Sequence, residues 1–121
     1  LDEAKALLKC NFPSGAFHLA GIALELAIKA CLATRFDRHV IPDKKFVTDI
    51  YTHDLKELIK TAGLSPDLKR ASNEVQQNWE TVKAWTIESR YDFITDEDAQ
   101  GMIAAVSEPP NGVFAWIQMH W

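Results

Sequence analysis

The chain has 121 residues with 17 acidic and 13 Lys or Arg side chains, a formal charge of −4. That length suits one domain with one core, spanning residues 1–121, and the acidic balance excludes a generic phosphate-backbone binder, whose affinity comes from massed Lys and Arg. Two cysteines, Cys10 and Cys31, sit among apolar neighbours without CxxC spacing, and are expected to be buried reduced thiols of a cytoplasmic protein.

Leu1, Ala4, Leu7 and Leu8 recur at helical spacing, with Asp2 and Glu3 early and Lys9 late, as the helix dipole favours. The chain starts within this helical pattern and without Met, so an earlier segment is left open. Asn11-Phe12-Pro13-Ser14-Gly15 breaks the helix, and Ser14 is a plausible N-cap for the next one.

Ala16 to Ala33, AFHLAGIALELAIKACLA, is the hub. Only His18, Glu25 and Lys29 can carry charge there, and the remainder is small or apolar on every side, which marks a helix of about Ser14 to Arg35 buried nearly all round. The three ionisable groups argue against a membrane span. At 100° per residue they share a narrow arc, and such a stripe is expected to be a solvated face carrying an ordinary Glu–Lys pair.

Residues 40–51, VIPDKKFVTDIY, lack sustained periodicity and predict a structured loop that lids the core, with a short strand as runner-up. Thr52 is then expected to cap a helix from His53 to Ala62 closed by Gly63. Ser65-Pro66-Asp67 opens what should be the longest amphipathic helix, with Leu68, Ala71, Val75, Trp79, Val82 and Trp85 as its stripe to about Ser89. Thr95 followed by Asp96, Glu97 and Asp98 starts another helix, interrupted by Pro109-Pro110-Asn111-Gly112 and resumed from Val113 to Trp121. The resulting fold class is all-α, an up-and-down four- to five-helix bundle. The aromatic surface of Phe114, Trp116, Ile117 and Trp121 exceeds what one short helix can turn inward, so a homodimer is expected to bury it.

Three stretches in order, AFHLAGIALELAIKACL, THDLKEL and SRYDFITDEDAQGMI, resemble the HEPN domain (higher eukaryotes and prokaryotes nucleotide-binding), in its small prokaryotic form. The matching positions are Glu25 and Lys29, then His53, Asp54 and Leu55, then Arg90 and Tyr91. The resemblance implies a helical bundle that dimerises, and a protein that is either an RNase toxin or the partner of a minimal nucleotidyltransferase. Catalytic members place four to six residues between an Arg and a His. Here Arg35 and His39 have only three between them, and neither Arg38, Arg70 nor Arg90 has a His at that distance. A non-catalytic nucleotide- or RNA-binding accessory module is therefore expected. The alternative is a metal-independent RNase with a rearranged site built from Arg90, His53 or the Arg35–His39 pair.

The candidate ligand residues are Lys29, His53, Arg90, Tyr91, Glu25 and Asp54. Arg90 would grip an anion with two directed bonds, His53 and Lys29 would lie near the same cleft, and Glu25 would orient Lys29. In the competing account Arg90 pairs with Glu25 or Asp54 and locks two helices together. Scattered His18, His39, His53 and His120 lack metal-ligand spacing, so neither metal nor cofactor is expected.

Overall fold

A computed structural model describes residues 1–36 and 39–121. Among them there is no strand, and the elements run α1 (Asp2–Lys9), α2 (Pro13–Ala33), α3 (Lys44–Ile50), α4 (Leu55–Thr61), α5 (Ser65–Arg70), α6 (Asn73–Val82), a 3-10 helix (Ile87–Tyr91), α7 (Asp96–Ser107) and α8 (Val113–Gln118). The protein is all-α, with more and shorter helices than the periodicity suggested.

Helix α2 is the hub. Its 21 residues pack against α1, α4, α7, α8 and the 3-10 helix through Ala16, Ala20, Leu24, Ala27, Ile28, Cys31 and Leu32, which fill about half of its circumference and not nearly all of it as expected, with Leu26 left 59% exposed. By length and composition it could cross a bilayer, but the five elements around it make it the core helix of this fold. Leu24, Ile28 and Leu32 are fully buried alongside Leu55 and Leu58 of α4, Val106 of α7 and Ile117 of α8. Together they form one core.

Local capping chemistry accounts for several helix ends. Thr95 Oγ1 accepts from Asp98 N at 3.1 Å while Thr95 N donates to Asp98 Oδ2 at 3.3 Å, a reciprocal box that starts α7. Gly63, at φ +67°, closes α4: its N–H bonds Lys60 O and the N–H of Leu64 bonds Ile59 O, the paired bonds of a left-handed helix end that glycine adopts without strain.

Elsewhere the structure departs from the expected layout. Ser14 caps nothing: α2 begins at Pro13 with Phe12 before it and no side-chain cap bond. Proline supplies the first turn because the N–H it lacks would have been unpaired there anyway. Residues 40–51 are not simply a lid. Asp43 leads into α3, whose Phe46 and Ile50 reach the core edge while Val40 and Ile41 stay exposed. The cap of α4 is Asp54, which accepts from Lys56 N at 2.8 Å and Glu57 N at 3.3 Å, and Thr52 Oγ1 accepts one residue earlier from Asp54 N.

The expected long helix is broken at Ala71, which is extended, and restarted by Ser72, whose Oγ accepts from Val75 N. A good N-cap outcompetes continuation when the apolar stripe can be served by two shorter pieces. Cys10 is exposed rather than buried, whereas Cys31 is buried and its Sγ donates to His120 O at 3.2 Å. Arg35 closes the last turn after α2, and the expected fraying near Arg35 to His39 falls partly on 37 and 38, outside the described residues.

Leu24→Ala is expected to lower the unfolding free energy by about 2–5 kcal/mol in urea titration, since it opens a cavity in a fully packed site. Leu24→Asp should abolish cooperative unfolding altogether. A melting curve like that of the parent would remove α2 from the centre of the core.

Candidate functional site

His18, Gly21, Glu25 and Lys29 line one edge of α2 over about 16 Å of helix. This edge is not a solvated face. Glu25 is 4% exposed, and a carboxylate so placed must be met by donors or pay a large desolvation cost.

Two donors meet it. Lys29 Nζ, one turn along α2, lies 2.7 Å from Glu25 Oε1, and His53 Nδ1 lies 3.0 and 2.9 Å from Oε1 and Oε2. The imidazole comes from the loop before α4. There Thr52 and Asp54 spend their side-chain oxygens on the backbone of the first turn, and this tight start turns the intervening His53 toward α2. A carboxylate offers lone pairs, so His53 presents Nδ1–H to it, and Nε2 has no hydrogen-bond partner among the described residues. Half of the His53 side chain remains exposed.

The segment after α6 lies along the same edge, running opposite to α2. Trp85 packs on Gly21 so closely that a Cβ on Gly21 would fall 2.1 to 2.3 Å from the indole ring. Five residues on, the Arg90 charge is felt by His18. Further still, Ser14 Oγ donates to Asp92 O at 3.5 Å and accepts from Ile94 N at 3.4 Å. The serine expected to cap α2 instead pins this segment. Trp85, only 3% exposed, covers the stripe at Gly21 between His18 and Glu25; Glu25 is buried, while His18 is half-buried and the Lys29 side chain stays 28% exposed.

Two polar atoms at this contact, His18 Nδ1 and Trp85 Nε1, are buried without a hydrogen-bond partner. The two rings are tilted at 36° with centroids 5.9 Å apart. Burial, and then the Arg90 charge, hold the His18 pKa below its ordinary value of 6.5, against an opposing pull from Glu25.

Of the six sequence-derived candidates, Glu25, Lys29 and His53 converge. The Asp54 carboxylate serves as the α4 cap. Arg90 and Tyr91 sit together at the end of the 3-10 helix, with the guanidinium 4.7 Å from the ring centroid and Tyr91 76% exposed. Among the described residues Arg90 forms no ion pair with Glu25 or Asp54. The guanidinium of Arg35 lies against Gly63, at the opposite end of α4 from His53. The Arg35–His39 arrangement is therefore not part of this cluster.

Beside the cluster opens a cleft of about 470 Å³, walled by residues 51–54 and Lys56 on one side and 83–88 on the other. His53 and Asp54 line it, while Glu25, Lys29 and Arg90 do not. Lys56, Lys83 and Tyr51 belong to the cleft although none was among the candidate ligand residues, because only the fold sets the two segments opposite each other. Among the described residues no group of three or more His, Cys, Asp or Glu side chains converges as metal ligands would. No family model matches the chain, and no characterised protein or solved structure matches it.

Gly21→Ala is expected to displace Trp85, with a loss of about 1–3 kcal/mol and a changed near-ultraviolet circular dichroism signal. The lowered His18 pKa makes a second expectation. The folded state resists protonating this ring, so stability is full above pH 6.5 and falls as the pH drops from there through the folded value. Chemical denaturation between pH 7.5 and 5 should therefore show a smaller acid loss for His18→Gln than for the parent, and equal losses would contradict it.

Proposed function

We propose that the protein is a non-catalytic HEPN-like module, an up-and-down bundle acting as a cytoplasmic homodimer that binds the phosphate of a nucleotide or RNA. In this reading it is the accessory partner of a minimal nucleotidyltransferase in a toxin–antitoxin-type pair. The observation that carries the reading is the closure of Lys29 and His53 on the Glu25 carboxylate within 2.7 to 3.0 Å. These residues come from two of the three stretches that carry the resemblance. A buried ion pair is weak evidence for stability, since apolar packing of the same volume often does as well. Holding an imidazole with one nitrogen tied and the other free is a better account of its cost.

The chemistry suits an anion. Half of the His53 side chain is exposed, and it lines a cleft together with Lys56 and Lys83. Homodimerisation is supported by the apolar surface left outside the core. A shallow groove of about 260 Å³ on α2, between Leu26 and Trp121, is lined almost wholly by apolar atoms. Leu26 is 59% and Trp121 52% exposed, although Trp116 and Ile117 pack inside the subunit.

A second reading, a metal-independent RNase with a rearranged site, rests on the His53–Glu25 contact. A carboxylate behind an imidazole fixes its tautomer and leaves Nε2 for proton transfer. Turnover of a fluorogenic RNA that His53→Gln abolishes would establish it over the non-catalytic reading.

Under the accessory reading, His53→Gln should weaken nucleotide or RNA binding, because it removes the cleft-lining imidazole held by Glu25. A large drop in melting temperature with unchanged binding would make His53 only a structural partner of Glu25. Light scattering at tens of micromolar should give twice the chain mass, and Leu26→Asp should return a folded monomer. A monomeric parent would count against the dimer.

A further inference from the structure

Resting on the reading that the protein binds a phosphate-bearing ligand, we infer that the ligand is a nucleotide unit seated in the cleft between residues 51–56 and 83–88. Its phosphate meets Lys56, Lys83 and the free nitrogen of His53, not Arg90. The cleft's volume of about 470 Å³ lies in the range that small-molecule sites occupy. His53 is anchored from behind. Nδ1 is bound to a carboxylate that is itself outside the cleft wall, so the rest of the ring is what the cleft receives.

Charge and shape select the ligand. Lys56 stands on one wall and Lys83 on the other, so a phosphate between them is met from two sides. Lys83 is paired with Glu80, three residues back and outside the wall, and an exposed pair of that kind yields readily to a stronger anion. Of the two carboxylates in the cleft, Asp54 is committed to backbone amides of α4. Glu88 is exposed and suits a ring amine or a sugar hydroxyl. Tyr51, 79% exposed, offers a flat face at the rim, and Ile87 on the other wall offers apolar surface. A bare inorganic anion would use none of these last three. Arg90 lies off this wall, stacked on Tyr91 beside His18.

Calorimetric titration of the full chain with adenosine 5′-monophosphate, inorganic phosphate and a 5′-phosphorylated RNA trinucleotide tests the inference. The parent is compared with Lys56→Gln/Lys83→Gln and with Arg90→Gln, each checked by thermal melting. The lysine pair carries charge-assisted bonds, so its loss should weaken nucleotide binding at least about ten-fold, Arg90→Gln should change it less than about two-fold, and inorganic phosphate should bind more weakly than the nucleotide. Tighter binding of the trinucleotide, lost in the same lysine variant, keeps the cleft and identifies an RNA end as the source. If Arg90→Gln costs as much as the lysine variant or more, the phosphate reading survives and the cleft assignment is overturned. If the parent binds none of the three at millimolar concentration, both fall.

Discussion

A carboxylate on the inward side of the central helix sets the terms for much of this structure. Glu25 lies midway along α2, next to a buried face built mainly of alanine, leucine and isoleucine, and it is almost entirely removed from water. Such a group is tolerated only with donors at hand. One comes from its own helix in Lys29, and the other requires the chain to return 28 positions later with His53. Placing that imidazole requires a sharp entry to α4, which the Thr52 and Asp54 side chains provide by bonding the first turn of backbone. Satisfying one buried charge thus helps fix where α4 meets α2, and the edge of that junction is the cleft.

The second constraint is steric. Gly21 leaves a gap in the surface of α2 that the indole of Trp85 fills, and any larger residue would collide with the ring. With Trp85 seated there and Ser14 bonded to Asp92 and Ile94, the segment between α6 and α7 is held along α2 at both ends. It covers the polar stripe, carries Arg90 toward His18 and supplies one wall of the cleft. A tight contact between a small residue and an aromatic ring tolerates little displacement, so the wall opposite His53 has a defined position.

These two constraints divide the polar residues into groups with different work. Glu25 and Asp54 are spent inside the protein, the first on Lys29 and His53 and the second on the α4 backbone. His53, Lys56 and Lys83 reach the cleft with donors to offer. Arg90 and Tyr91 form a separate exposed pair next to His18. Residues adjacent in a motif, such as His53 and Asp54, therefore do unlike things, while residues far apart in the chain share one cavity.

What could be read from the chain alone was what depends on a few neighbouring residues. The Thr95–Asp98 box and the Gly63 helix end involve partners within five positions, and the near-continuous apolar run of α2 announces a central helix whatever surrounds it. The proximity of Glu25 and Lys29 follows from helical spacing. What only the tertiary structure decided depends on partners brought from a distance. Ser14 has good N-cap chemistry, yet its hydroxyl is taken by backbone 78 and 80 positions away. The stripe of His18, Glu25 and Lys29 would be an ordinary solvated face on an isolated helix, and is partly covered because Trp85 lands on Gly21 and His53 meets Glu25. Lys56, though inside the THDLKEL stretch, and Lys83 were not among the candidate ligand residues, and face one cleft only because α4 and the segment after α6 both pack on α2. Local hydrogen bonding and periodicity are written within a few residues, whereas the burial of a polar group is set by whichever remote segment removes its water.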